Sequence, residues 1–327
     1  MKKPKAKRIL FIILFVLVLP VFATWILVAQ PTLTQSSPSL LKADSSRLKA
    51  HVVELSETYS PRSYAHTENL DRCAAYIQSH FKRAGADTSI QKFSVTGKIY
   101  QNVIGLFGAP TTERIIIGAH YDARAKTPGA DDNASGVAGL IELAYLIAKA
   151  KLSTGIELVA YPLEEPPFFG TEDMGSAHHA KWLHEQKVDV KCMMALEMIG
   201  YFSSDPGSQS YPMPVLKIFY PDKGNFIAIV GRLDQRGIVK NIKQLMQGAT
   251  DLPVYSVNAP TFVSGIDFSD HRNYWKYGYD AVMITDTAFY RNPHYHKPGD
   301  TADSLNYELM GKVVIQVFEA VKGLANN

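Results

Sequence analysis

A chain of 327 residues with 46% hydrophobic content is long enough to bury a large core, and its formal charge of +3 is small. Five basic residues, Lys2, Lys3, Lys5, Lys7 and Arg8, stand at the extreme N-terminus, which leaves the remainder near −2. This excludes a basic nucleic-acid-binding body and predicts one large α/β domain behind a distinct N-terminal segment.

Ile9 to Ala29 holds 21 residues without a charge, the length of a membrane-crossing helix. The basic flank should stay in the cytoplasm and the rest of the chain outside it, periplasmic or extracellular. An uncleaved signal anchor is favoured by the apolar run through Trp25, Ile26, Leu27 and Val28. A cleaved signal peptide, giving a secreted protein, is the competing outcome, since Val21-Phe22-Ala23 offers small residues at a cut site. Residues 1–30 are therefore expected to form the anchor or signal peptide. Residues 31–46, rich in Ser, Thr and Pro, are expected to form a tether, and 47–327 the folded body.

The body opens with an amphipathic helix from Leu48 to Leu55. A second helix is predicted over Thr67–Arg83, with Leu70, Cys73, Ala74, Ile77 and Phe81 on one face and Gly85 as its stop. Ser89–Val95 and Tyr100–Leu106 read as strands. Ile115-Ile116-Ile117 is a β-branched run that suits a strand covered on both faces, and it leads to His120 and Asp122. Pro128 and Gly129 break the chain. Asp131, Asp132 and Asn133 sit where a helix begins, and Val137, Leu140, Ile141, Ala144 and Ile147 continue it at helical spacing. Gly155–Leu163 is a buried strand ending at Glu164-Glu165. Thr171–Gln186 is helical, and Cys192–Ile199 is a third core strand carrying Glu197. Phe202–Pro214 is a loop, and the stretch to Val254 holds no motif beyond a helix over Gly231–Gln247. Ala281–Thr285 is the last strand and Glu308–Ala325 the closing helix. Strands alternating with helices predict a mostly parallel central sheet with helices on both faces.

Acids and imidazoles recur at the C-terminal ends of successive strands, the edge where open α/β sheets place their sites. His120, Glu164-Glu165, Glu197 and the late segment with His294 and His296 each follow a strand, and Asp132 opens a helix. A mixed nitrogen and oxygen set suits zinc, and five ligands with one shared carboxylate would hold two zinc ions. Glu164-Glu165 closes an apolar strand and precedes Pro166-Pro167-Phe168-Phe169, a poor place for a merely solvated charge. Plainer roles compete at other positions. Asp131 fits a helix cap, His178 and His179 surface or packing residues, and Asn133 a chance glycosylation match. Phe168 and Phe169 fit either pocket or core. Cys73 and Cys192 fit buried free thiols better than a pair.

These segments resemble the zinc aminopeptidases of peptidase family M28, in clan MH. The resemblance rests on His-Tyr-Asp at 120–122, ADDNASG at 130–136, Glu-Glu at 164–165, LEMIGY at 196–201 and Tyr-His at 295–296. ENLDRCAAYI at 68–77 and Ser-Asp-His at 269–271 add to it, so it spans Thr67 to Leu305. It implies a zinc-exopeptidase α/β fold in which Asp132 bridges two zinc ions. His120 and Glu197 would hold one ion, Glu165 and His296 the other. Glu164 is implied as general base toward a zinc-activated water, and Asp122 as the acid that orients His120. Tyr295 is implied as a donor to the developing oxyanion and Asp270 as a supporting acid. The Tyr-His pair and the Pro-Gly-Asp-Thr turn after it favour His296 over His294. Two features depart from the family pattern: Glu197 stands where many members carry Asp, and PPFFGTEDMGS replaces the usual small-residue turn.

The implied activity is hydrolysis of N-terminal residues from peptides. One alternative is a single-zinc, glutaminyl-cyclase-like acyltransferase on the same fold. Another is a carboxypeptidase, with Arg124, Lys126, Arg272 or Arg291 meeting the terminal carboxylate. A non-catalytic binding domain should have lost ligands, and none is missing here.

Overall fold

The computed structural model describes residues 4–32, 36–108 and 113–326. Lys2 and Lys3, the side chains of residues 4–14 and 17, and residues 33–35 of the expected tether lie outside the described set. The strands are β1 (Asp87–Val95), β2 (Lys98–Phe107), β3 (Glu113–His120), β4 (Gly155–Tyr161), β5 (Asp189–Glu197), β6 (Ile227–Gly231), β7 (Val254–Asn258) and β8 (Ala281–Thr285). They form one sheet in the order β1-β2-β4-β3-β5-β8-β6-β7.

At the centre, β4, β3, β5 and β8 run parallel. The flanks differ from the expected parallel pattern. β1 and β2 form an antiparallel hairpin, and β2 pairs antiparallel with β4. β6 and β7 are parallel to each other, but β6 runs against β8. The sheet is therefore mixed. The hairpin follows from Thr96-Gly97, both with positive φ (48° and 79°), which matches the twist of a two-residue turn.

The period-2 alternation of β3 divides its isoleucines between two cores. Ile115 and Ile117 enter the larger one, with α2 (Ser45–Val53), α3 (Thr67–Arg83), α4 (Gly136–Ile147), α6 (Arg236–Met246) and α8 (Tyr307–Ala325). Ile116 enters the smaller one, with α5 (Gly175–Glu185) and α7 (His271–Trp275). Cover on both faces explains why β3, β4 and β5 read as continuous apolar runs. Both cysteines are free and buried, and burial pushes each thiol up to about 12.

Some elements depart from expectation. The helix predicted from Gly231 starts at Arg236, because Gly231 ends β6 and lies close under α6. A Cβ there would meet Val239 at 2.6 Å. The helix predicted from Thr171 starts at Gly175, and β6 and β7 were not anticipated.

The first helix, α1, spans Pro4–Val28. Among the described residues no helix is long and apolar enough to cross a membrane. The chain leaving α1 is held by the body. Lys243 Nζ donates to the carbonyls of Ala29 (2.9 Å) and Gln30 (3.0 Å), and Ser256 Oγ donates to Ala29 (3.0 Å). Asn258 Nδ2 donates to Gln30 Oε1 at 2.8 Å. Ala29 packs with Leu216 and Tyr220, joined by Trp25 and Val28. Within the expected tether, the Ser36 and Ser39 N–H groups donate to the carbonyls of Gln247 (2.7 Å) and Ala249 (2.9 Å).

Candidate metal centre

His120 ends β3 with its ring fully buried. Its Nε2 lies 3.3 Å from Asp132 Oδ1, 3.3 Å from Glu197 Oε2 and 3.8 Å from Glu164 Oε2. His296 approaches from the opposite side. Its Nε2 lies 3.1 Å from Asp132 Oδ2 and 3.2 Å from Glu165 Oε2. Asp132 thus turns one oxygen toward each imidazole. Two donor sets result, His120/Asp132/Glu197 and Asp132/Glu165/His296, with Asp132 common to both.

The local chain explains how Asp132 comes to stand there. Gly129 is left-handed (φ 62°), and a Cβ on it would lie 2.4 Å from the Asp132 carbonyl. The Asp300 carboxylate accepts the N–H groups of Asp131 (2.8 Å) and Asp132 (3.1 Å). Asn133 joins this loop to the end of β5. Its Nδ2 donates to Leu196 O (2.8 Å), and its Oδ1 accepts from the N–H groups of Gly136 and Met198, each at 3.0 Å. Fully buried, Asn133 is a structural residue and not a glycan acceptor. Arg62 lies beneath the loop and donates to the carbonyls of Leu55 (2.6 Å), Pro128 (2.8 Å), Gly129 (2.8 Å) and Tyr121 (3.0 Å).

Asp122 orders the other side. Its two oxygens accept the N–H groups of Glu164 and Glu165, each at 3.1 Å, and Oδ1 lies 3.4 Å from His120 Nδ1. Glu197 Oε2 accepts from Ser269 Oγ at 2.7 Å. Tyr295 stacks on the His296 ring, with centroids 3.8 Å apart. Asp270 is buried beside these groups, and burial raises its carboxyl to about 7.

The electrostatics follow from crowding acids in a dry site. Burial pushes Glu164 well above the usual carboxylate range, Glu165 up to about 7, and Glu197 up as well. Burial opposes ionisation of Asp132 too, but the two imidazoles outweigh it and hold Asp132 low. Burial would lower His296, yet Asp132 and Glu165 raise it to about 9.

The residues present fit divalent metal. Tetrahedral zinc with bonds of about 2.0–2.1 Å separates its ligand atoms by about 3.3 Å, close to the spacings across both sets. His120 Nε2 and Glu165 Oε1 are buried without a hydrogen-bond partner among the described residues. Four carboxylates crowd round two imidazoles, and cations held there would favour the ionised carboxylates and the neutral imidazoles that metal ligation needs.

Comparison with known proteins bears on these residues. The model of peptidase family M28 matches residues 102–321, which span β3, the Asp132 loop and the His296 segment. The chain belongs to peptidase family M28. A peptide-hydrolysing class follows from membership. An uncharacterized Escherichia coli protein, YfbL, is 49% identical over 312 residues, covering 93% of this chain and 94% of its own. The fold resembles that of a Bacillus subtilis zinc aminopeptidase, with TM-score 0.69, 15% identity, and 86% and 95% of the two chains covered. It also resembles a glutaminyl cyclase from Bacteroides thetaiotaomicron, with TM-score 0.65, 18% identity, and 86% and 98% covered.

Within this M28 chain other expectations sort by position. Asp131 does not cap α4. Its carboxylate accepts from Gly200 N–H (3.0 Å) and Asn292 Nδ2 (2.8 Å). His294 belongs to neither donor set and packs against Gly299. His178 stacks on Phe93, and His179 is buried between Glu157 (2.9 Å) and the Tyr274 hydroxyl (2.7 Å). Phe168 packs on Tyr64 and Phe169 on Phe268. Of the four basic candidates for a terminal carboxylate, Lys126 is exposed and Arg124 meets His296 Nδ1. Arg272 pairs with Asp267 at 3.4 Å, and Arg291 is buried on Gln209 and Phe226. Arg62 carries no signal in the sequence, and Ser269 and Asp300 stand there only as parts of the Ser-Asp-His and Pro-Gly-Asp-Thr segments, without the roles seen here.

A cavity of about 400 Å³ opens from Glu197 and Tyr295. Val263, Phe268, Met283 and Phe289 line it, and Thr24 and Val28 of α1 close its far side.

Proposed function

We infer that this M28 peptidase is a di-zinc aminopeptidase that removes N-terminal residues from peptides. The observation that carries this is Asp132, whose two oxygens serve two adjacent donor sets. His120 and Glu197 would hold one zinc, Glu165 and His296 the other, with Asp132 between them. Zinc, when bound, supplies Lewis acidity to water and to the scissile carbonyl. Glu164 takes the proton from the attacking water and hands it to the departing amine. Its burial, which favours the protonated form, suits the second half of that exchange. Asp122 keeps Glu164, Glu165 and His120 in register. Tyr295, stacked on His296, donates to the developing oxyanion. The carboxylates of the site would accept the free α-amine of a substrate, while the apolar cavity takes the side chain beside it.

The likeness to a glutaminyl cyclase supports a second reading, a single-zinc acyltransferase. The complete second donor set, Asp132/Glu165/His296, favours the peptidase. The N-terminal segment is read as an uncleaved anchor that places the body outside the cytoplasm. That reading rests on the 21 uncharged residues and the basic cluster before them.

Metal analysis of the full-length chain in detergent, with aminoacyl-anilide hydrolysis, tests the assignment. Two zinc ions per chain, both lost in Asp132→Ala with the activity, are expected. One zinc with cyclisation of N-terminal glutamine would establish the second reading. No zinc after reconstitution would overturn both.

A further inference from the structure

Eleven large apolar side chains outside α1 are exposed among the described residues. Five of them, Met213, Val215, Leu233, Phe262 and Phe268, border one cavity beside β7, and the exposed Ile218 belongs to the same 214–218 turn as Val215. Ile218 is 70% exposed and Phe262 86%. Such a patch on a folded body marks an interaction surface. Its location narrows the partner. The 214–218 turn points Leu216 inward against Ala29 while Met213, Val215 and Ile218 stay outside. Met213, Leu233 and Phe262 border the same cavity as Thr24 and Val28. The patch therefore adjoins the point where α1 meets the body. Lys217 and Arg236, both exposed, flank it, and Gln30 binds the Arg236 carbonyl at 2.7 Å.

We propose that this face rests on the lipid bilayer, with Ile218 and Phe262 at the boundary of headgroups and acyl chains. The inference rests on reading Ile9–Ala29 as the membrane anchor. A helix that leaves the body beside an apolar patch brings that patch toward the surface it enters. Apolar side chains then bury into the interface, and basic neighbours meet anionic headgroups. The cavity that reaches Glu197 and Tyr295 opens on this same face. Its substrates would be peptides whose apolar N-terminal ends lie in the interface.

Spin labels on single introduced cysteines of the full-length chain provide the test, in vesicles of phosphatidylethanolamine and phosphatidylglycerol. Val18→Cys reports the anchor, Ile218→Cys and Phe262→Cys the patch, and Ile99→Cys the β1–β2 hairpin at the other end of the sheet. All four positions are exposed, and the native Cys73 and Cys192 are buried, so labelling is selective. The oxygen-to-nickel-chelate accessibility ratio should be several-fold higher at 18, 218 and 262 than at 99. An immersed position 18 with aqueous 218 and 262 would overturn the docking and leave the anchor. An aqueous position 18 would overturn the anchor and the docking with it.

Discussion

Asp122 uses one carboxylate for three contacts: two backbone N–H groups of the Glu pair and the ring of His120. In Asp122→Asn an amide NH₂ would face at least one donor it cannot accept. Metal affinity should fall by about 10–100-fold, the usual cost of losing a group that orients a ligand. Competition with a chromogenic chelator measures this. Glu164 stands apart from both donor sets yet within 3.8 Å of His120. Glu164→Gln should keep full metal content while kcat drops by roughly 10²–10⁴-fold, the range for loss of a general acid–base. Metal analysis and steady-state kinetics on the same preparation separate these effects. A loss of zinc in this variant would reassign Glu164 as a ligand.

At the level of elements, the loop from Gly129 to Gly136 links Asp132 to the end of β5 through Asn133. Gly136 has no room for a side chain, since a Cβ would meet Asn133 Oδ1 at 2.4 Å and Leu196 O at 2.6 Å. Gly136→Ala should therefore cost about 1–3 kcal/mol of stability through overpacking, read as a lower urea midpoint. Between α2 and α3, His51 hydrogen-bonds the Tyr76 hydroxyl at 2.6 Å, and burial lowers its pKa to about 3. The unfolded chain binds a proton there below about 6.5 while the folded chain refuses it until about 3. Stability should thus fall on acidification across that window, by up to about 1.4 kcal/mol per pH unit from this group. His51→Gln should flatten that slope in unfolding titrations.

The central elements were legible because two-sided burial writes itself as apolar runs, and each run ended in an acid or imidazole. His120, the Glu164-Glu165 pair, Glu197 and the late histidines stand out one strand at a time, whereas the choice of Glu165 and His296, with Asp132 shared, is what the resemblance to family M28 implies. β6 and β7 were harder: each has five residues, as β8 does, but neither leads to an acid or imidazole of the site. Asp300 was hidden for another reason. It accepts from amides 168 and 169 positions earlier, a relation that exists only after folding. Arg62 likewise serves backbone carbonyls, which leave no mark on side-chain pattern.

Across the whole molecule, covalent cross-links play no part among the described residues, because Cys73 and Cys192 are separately buried free thiols. Melting temperature should be the same with and without reductant, and a drop on reduction would contradict this. More distinctive is how Lys243, Ser256 and Asn258 grip the chain as it leaves α1. A loose leash would let an enzyme sweep a hemisphere. A gripped stem leaves no such play. If α1 is rooted in lipid, the reaction centre rides at one altitude, like the blade of a carpenter's plane. Each helical residue inserted above the bilayer would raise it by about 1.5 Å. Substrates would then be sorted by how far their ends project from the surface as well as by their side chains.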